Sequence, residues 1–307
     1  MNKLVRMISE DGTLYCLALD STEMVKEMQK IHNTSKVCSA ALGRLITGAS
    51  MMGVLLKGEK DTLTLKMSGG GPASPVVAVA NSKGQVKGYI GDSRVNLPLN
   101  NKGKLDVSGA IGKNGFLTVI KDLGMKEPYC AQTPILSGEV AEDITAYYAT
   151  SEQTPTVCAL GVLVDPQSEE VLLAGGFLIQ LLPTAGDDTI SLVEKSLEGI
   201  KPVTTMLAEG LTPEEICKAV LSEFPMQLLD TQEVEYKCDC STERVTRALI
   251  GAGEKGLREM AEDDDRQDAL IGELQNKIQS LEKWKIATFV ISALALALTL
   301  LQIFGII

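Results

Sequence analysis

Short apolar runs separated by glycine, asparagine and proline occupy much of the first 182 residues, a pattern typical of β-strands joined by turns. The Asp11-Gly12 pair between the first two runs is a strong hairpin signal. Longer apolar stretches predict helices at residues 35–56 and 137–152, and Ser21 or Thr22 is placed to cap an earlier one. The predicted strands are residues 4–8, 13–19, 62–67, 76–80, 85–90, 116–120, 157–164 and 171–182.

The two types of element occur in separate runs along the chain. The helix at residues 35–56 is rich in glycine and alanine, so other backbone can approach it closely, and we expect it to be central. After Pro183 the pattern predicts helices at residues 187–198 and 203–209, and a third where Thr212 and Glu215 have the spacing of a capping box. Because regular alternation of strand and helix is absent, the sequence predicts an α+β fold and not a doubly wound sheet.

The last part of the chain has a different pattern. Residues 286–307 carry no charged side chain, and about 22 helical residues at about 1.5 Å each span about 33 Å, enough to cross a bilayer core of about 30 Å. Trp284, flanked by two lysines, suits the membrane interface. We therefore expect a C-terminal transmembrane tail anchor that leaves the body of the protein in the cytoplasm.

The pattern of apolar and charged residues at 263–285 predicts an amphipathic stalk before this anchor. Apolar residues recur there at steps of three and four, and charged residues lie between them. Two heptads leave two alternatives open, a monomeric stalk and a coiled-coil dimer. The apolar positions are Ile271, Leu274, Ile278 and Leu281.

Composition excludes several classes of function. The net charge of -11 and an aromatic content of 4% disfavour nucleic acid as a partner. His32 is the only histidine, which disfavours catalytic triads and histidine-rich metal sites. We interpret it as a surface or partly buried residue near a helix end.

The seven cysteines separate into two groups. Five are scattered among apolar residues and are predicted to be buried in the core. The chain starts without the apolar stretch of a secretory leader, so we expect a reducing cytosol around the main domain. The five predicted core cysteines are Cys16, Cys38, Cys130, Cys158 and Cys217.

Cys238 and Cys240 form the second group, a CxC pair. Lys237 precedes the pair and a predicted helix begins at Ser241 or Thr242, so positive potential is expected to favour thiolate. Two thiolates supply half of a four-coordinate zinc site, and the same pair can oxidise. The alternative is two incidental cysteines at a strand end.

Several blocks of sequence, in matching order, resemble the redox-regulated 33-kDa heat-shock chaperonin family. The resemblance runs from the first strand to about Met260. The blocks are GRL at residues 43–45, NSKGQVKGY at 81–89, YATSEQTP at 148–155, GGFLIQLLP at 175–183 and CDCS at 238–241.

This resemblance implies a cytoplasmic holdase chaperone and not an enzyme. In the family, a CxC pair and a later CxxC pair hold one zinc ion in the reduced, inactive state. Peroxide or hypochlorite, combined with unfolding stress, converts the thiols to disulfides and releases zinc. The linker then loosens and exposes apolar surface for unfolding client proteins, commonly in a dimer. Cys238 and Cys240 match the first pair, and residues 187–224 match the linker.

The chain departs from the family pattern after Met260. It continues into Asp263-Asp264-Asp265 and the stalk, and no cysteine follows Cys240. Three outcomes stay open for the zinc site. Two chains can share one zinc between their CxC pairs, or a disulfide or sulfenic acid can act without metal, or the switch is lost and client binding is constitutive.

The predicted organisation has five parts. They are an α+β chaperone core at residues 1–183, a helical linker at 184–235, a truncated redox and zinc module at 236–262, the stalk at 263–285 and the anchor at 286–307. The predicted function is a membrane-tethered, redox-regulated holdase, with a homodimer through the stalk or core as a further possibility. Alternatives are a thiol-disulfide oxidoreductase that uses the CxC pair and a membrane scaffold with a chaperone-like docking domain.

Overall fold

The computed structural model describes residues 2–238 and, beyond them, 241, 243, 246–247, 249–253, 255–258 and 261–262. The chain divides into two units after Cys238. In the second unit, the described residues from 243 onward are helical. Cys240, the whole predicted stalk at 263–285 and the predicted anchor at 286–307 lie outside the described residues. In the described part of the chain, no helix has both the length and the hydrophobicity needed to cross a membrane.

The first unit contains the elements that the apolar runs predict, together with three that they do not. One π-helical turn, Tyr148–Glu152, extends the predicted helix that begins near residue 137. The strands are β1 Asn2–Ser9, β2 Leu14–Asp20, β3 Thr62–Ser68, β4 Val76–Asn81, β5 Val86–Ile90, β6 Phe116–Asp122, β7 Tyr129–Pro134, β8 Thr156–Val164, β9 Val171–Leu181 and β10 Met226–Val234. The helices are α1 Thr22–His32, α2 Lys36–Gly53, α3 Val107–Ile111, α4 Val140–Tyr147, α5 Asp187–Leu197, α6 Val203–Ala208 and α7 Pro213–Val220.

The strands form two five-stranded sheets. The first has the order β10-β1-β2-β9-β8 and the second the order β5-β4-β3-β6-β7. Every strand pair in both sheets is antiparallel. This arrangement confirms the predicted α+β class.

Helix α2 is central, as predicted. Its only residues that are not buried are Lys36 and Arg44, and it contacts strands of both sheets. Ser35 caps its N-terminus by accepting the Cys38 N–H. At Gly53 a Cβ atom would lie 2.6 Å from the backbone oxygen of Asn81, so glycine permits the close backbone approach that the sequence predicts.

The first sheet is covered on both faces. Its inner face packs against α1 and α2 through alternate residues of each strand, including Leu4, Leu17 and Leu178. The outer face packs against α5, α6 and α7, which we call the helical layer. The buried apolar residues that the sheet contributes to its outer face are Val5, Met7, Leu14, Cys16, Ala18, Phe177 and Ile179.

Strand β10 lies in the predicted helical linker at residues 184–235 and corrects its C-terminal part. After α7 the chain returns to the edge of the first sheet and pairs with β1. The sequence does not reveal this strand because its register shifts between Arg6 and Met7 of β1, and Leu228 and Leu229 are both exposed. Strand β7 and helix α3 were also not predicted.

Cys130 corrects the prediction of five core cysteines. Cys16, Cys38 and Cys217 are buried and Cys158 is half-buried, but Cys130 is exposed. Cys130 lies on β7, the edge strand of the second sheet, opposite Ile120. The alternate residues of β6, Leu117 and Val119, are the ones that enter the core, so Cys130 projects from the other face.

Candidate functional site

The segment that leads to the CxC pair is fastened to the second sheet. β10 ends at the buried Val234, and the backbone oxygen of Glu235 then accepts the Val86 N–H at 3.0 Å. The Lys237 N–H donates to the Val86 oxygen at 2.8 Å, which forms a parallel bridge between Val86 and Tyr236. Because β10 belongs to the first sheet, residues 235–237 connect the edges of both sheets immediately before Cys238.

The side chain of Tyr236 strengthens this attachment. Its hydroxyl lies 2.8 Å from Nε2 of His32, the last residue of α1. The same hydroxyl accepts the Gly88 N–H at 3.2 Å and lies 3.2 Å from the Gly88 oxygen. Burial lowers the pKa of His32, which favours the neutral ring in this position. His32 is therefore partly buried at a helix end, as predicted, but it contacts a partner that the sequence did not identify.

Cys238 is exposed at the end of the first unit. Lys237 forms an ion pair with Glu235 at 3.4 Å, so the positive charge expected beside the thiols is shared with a carboxylate. Both of these charged side chains are about half exposed. Of the predicted redox pair, the structure describes Cys238, whereas Cys240 lies outside the described residues.

The residues of one chain do not fit a complete four-thiolate zinc site. Structural zinc takes four ligands in a tetrahedron, and residues 236–262 supply two thiols. Among the described residues, no group of three or more His, Cys, Asp or Glu side chains is placed to hold a metal ion. A zinc site that uses Cys238 and Cys240 therefore needs two further ligands.

The helical layer owes its structure to its packing on the sheet. Its helices have 11, 6 and 8 residues, whereas an isolated helix shorter than about 12–15 residues is marginal in water. α6 packs on β8 and β9, α7 packs on β1 and β2, and α5 packs on α7. Ile190 and Leu192 of α5 are exposed. A layer that leaves the sheet is thus expected to lose its helices as well.

Sequence reasoning missed the residues that hold the segment before the CxC pair. They are His32 at the end of α1, Val86 and Gly88 of β5, and Tyr236 in the segment that follows β10. His32 and Tyr236 are 204 positions apart in the sequence. Both the NSKGQVKGY block and the residues around the CxC pair carry the family resemblance. The resemblance does not indicate, however, that these two blocks are in contact.

Comparisons with known proteins agree with this architecture. The family model described as Hsp33 protein matches residues 2–270. A 33 kDa chaperonin of Clostridium botulinum (strain Alaska E43 / Type E3) is 46% identical over 267 residues, which are 87% of this chain and 90% of that protein. A 33 kDa chaperonin of Clostridium perfringens (strain SM101 / Type A) is 46% identical over 283 residues, 92% of this chain and 89% of that protein.

A solved structure shows the same fold. The crystal structure of the 33 kDa chaperonin (heat shock protein 33 homolog) from Thermotoga maritima superposes with a TM-score of 0.75 at 35% sequence identity. The match covers 84% of this chain and 89% of that one. Family model, relatives and structure agree: the chain belongs to the Hsp33 family, whose members are chaperones and not enzymes.

Proposed function

We propose that this chaperone is a redox-regulated holdase, in which oxidation at Cys238 and Cys240 releases the helical layer and opens a surface for unfolding proteins. One observation carries the proposal. The CxC pair follows directly on residues 235–237, which fasten β10 to β5, and β10 in turn follows directly on the helical layer. A change of backbone at the thiols therefore acts on the segment that holds the end of the layer in place.

The chemistry requires only the two thiols and a peroxide. A thiolate attacks the peroxide, an S–O bond forms while the O–O bond breaks, and water leaves after proton transfer. The second sulfur then displaces the oxygen of the sulfenic acid, which gives a disulfide and a second water. Cys238 is exposed, so peroxide has access to it.

A disulfide in a CxC pair also changes the backbone. In extended chain, residues i and i+2 are about 6.6 Å apart, near the upper limit of the about 4.4–6.8 Å between Cα atoms that a disulfide allows. The bond thus favours a bend after Cys238. Residues 235–237 run alongside β5, and a bend at their end strains the hydrogen bonds of Lys237 and Tyr236.

Release of the helical layer supplies the binding surface. The outer face of the first sheet carries large side chains such as Met7, Leu14, Phe177 and Ile179, each buried under the layer. Fully burying such a side chain is worth about 1.5–3 kcal/mol. The same side chains, once uncovered, form a contiguous apolar patch that binds the apolar segments of unfolding clients.

Aggregation of a thermally unfolded client tests the proposal. The full chain, in the presence of phospholipid vesicles, is assayed reduced and after peroxide treatment, beside Cys238→Ser/Cys240→Ser. Cys130→Ser is the matched control, because Cys130 is exposed but far along the chain from the pair. We expect peroxide to activate the parent and the control but not the double variant. Equal activation of the double variant would contradict the proposal.

We further propose that residues 286–307 tether the chaperone to a membrane, with its body in the cytoplasm. The support is the absence of charge over these residues and the Trp284 and lysine flank. Leu296→Lys/Leu298→Lys in the full chain places two charges near the centre of the segment, at a cost of about 2.5–3.5 kcal/mol each. We expect the parent to float with vesicles in a density gradient and the variant to remain at the bottom. Flotation of both would argue against this segment as the anchor.

A further inference from the structure

Two buried thiols meet at the interface between the helical layer and the first sheet. Cys16 lies on β2, the central strand, and Cys217 lies on α7, and both side chains are fully buried. Sγ of Cys217 lies 3.9 Å from the backbone oxygen of Cys16. Burial and the adjacent Cys217 thiol together raise the pKa of Cys16 well above its ordinary value. The function proposed above makes no use of this pair.

We propose that Cys16 and Cys217 are a second oxidation site, at which a disulfide forms after transient opening of the helical layer and then fixes α7 to the central strand of the first sheet. The proposal does not depend on Cys238 and Cys240, which follow β10 in the sequence. It needs only α7 to open and close and a peroxide to be present.

The closed structure protects both thiols from oxidation. Peroxide reacts with thiolate, and the raised pKa of Cys16 keeps that thiol protonated at neutral pH. Neither sulfur is accessible while α7 is docked. Local opening of short, packed elements occurs without global unfolding, so the oxidation rate of this pair is expected to follow the opening of α7.

The reaction then balances in two steps. In the open state the Cys217 thiolate attacks peroxide, which forms an S–O bond, breaks the O–O bond and releases water. When α7 docks again, the Cys16 sulfur attacks the sulfur of this sulfenic acid; an S–S bond forms, the S–O bond breaks, and the hydroxyl leaves as water with the Cys16 proton. Two thiols and one peroxide thus give one disulfide and two waters.

The surroundings of the other buried cysteines differ from this pair. Cys38 is as fully buried as Cys16, but its sulfur faces the backbone oxygens of Asp92 and Val95 on the inner side of the fold. Cys16 and Cys217 instead come from two elements that separate when the layer leaves. Cys38 is therefore an internal control for nonspecific oxidation.

Mass spectrometry of unreduced digests tests the proposal. The full chain carrying Cys238→Ser/Cys240→Ser is treated with hydrogen peroxide, with and without urea below the global unfolding transition, and remaining thiols are then alkylated. We expect a linked peptide pair containing Cys16 and Cys217 that forms at least ~10-fold faster with urea. Dithiothreitol should reverse the link, and Cys38 should stay reduced until alkylation. The result is independent of whether oxidation at Cys238 and Cys240 activates the chaperone.

Two outcomes would overturn the proposal. One is that Cys16 and Cys217 remain unlinked after peroxide and urea, or that Cys217 links to Cys130 or Cys158 instead. The other is that the amides of α7 exchange with solvent at the same rate in the linked and reduced chains, since the disulfide would then not fix the helix. Cys217→Ala should abolish the linked pair, and if that variant does not fold, Cys16→Ala provides the same control.

Discussion

The two faces of the first sheet are covered by helices that differ in length and in burial. The inner face packs against α2, a helix of 18 residues that is buried on nearly all sides. The outer face packs against three helices of 11, 6 and 8 residues. Neighbouring residues of the same strand, such as Leu17 and Cys16, belong to different cores. Because of this difference in helix length and in burial, we expect the outer side to open more readily than the inner side.

The largest expected difference between the two cores comes from the same substitution made in each. Ile46 of α2 and Ile216 of α7 are both fully buried, and replacing either with alanine should cost about 2–5 kcal/mol. We expect Ile46→Ala to lower the free energy of global unfolding, measured by urea titration. We expect Ile216→Ala to act mainly on the docking of the helical layer, so that amides of α5 to α7 exchange faster in the absence of urea.

The pair of variants also tests the holdase proposal. Ile216→Ala should raise protection of an aggregating client before any oxidant is added, because its layer is released more often, whereas Ile46→Ala should not do so at temperatures where it stays folded. The contrary result is that the two variants change the free energy of global unfolding and the amide exchange of α5 to α7 in the same proportion. That result would show that the two cores unfold as one cooperative unit, and it would contradict the distinction between them.

Local signals in the sequence predict most of the elements that build these two cores. The long apolar stretch with Gly43, Gly48 and Gly53 predicts α2, and the Thr212 capping box predicts α7. Their residues are close in sequence, so their spacing carries the information. The CxC pair is equally visible, because two cysteines one residue apart need no tertiary information to be noticed.

Contacts between distant parts of the chain are not visible in this way. β10 exposes Leu228 and Leu229 and is a strand because it pairs with the edge of β1, with the register shift at Leu229. Tyr236 has its place because β5 and the end of α1 meet there. Cys130 resembles the core cysteines in its local sequence and is exposed because it lies on the face of β7 that points away from the core. In each case the partner, and not the residue itself, decides the outcome.

A smaller effect is expected from the caps that start one helix in each core. Thr212 accepts the Glu215 N–H and forms a full capping box at α7, and Ser35 accepts the Cys38 N–H at α2. Loss of such a cap costs about 0.5–2 kcal/mol. Thr212→Ala should increase amide exchange in α7 without a change in the urea midpoint, and Ser35→Ala should shift the midpoint. Lower urea midpoints in both variants, with α7 exchange unchanged, would show that α7 does not open by itself.

The smallest expected effect concerns the attachment of residues 235–237 to the second sheet. Tyr236→Phe keeps the ring beside His32 but removes the hydroxyl that contacts His32 and Gly88. A hydrogen bond of this kind contributes about 0.5–1.5 kcal/mol. The Lys237 N–H donates to Val86 in this segment, so its exchange rate reports on the attachment directly.

We expect Tyr236→Phe to raise exchange at Lys237 by up to about tenfold, which corresponds to about 1.4 kcal/mol, while exchange in α2 stays the same. Tyr89→Phe is the matched control, because Tyr89 lies on the same strand β5 and its side chain is exposed. If the segment restrains the helical layer, Tyr236→Phe should also speed exchange in α7. Faster exchange at Lys237 with unchanged exchange in α7 would show that the attachment of residues 235–237 does not hold the helical layer closed. The attachment would then serve only to position Cys238.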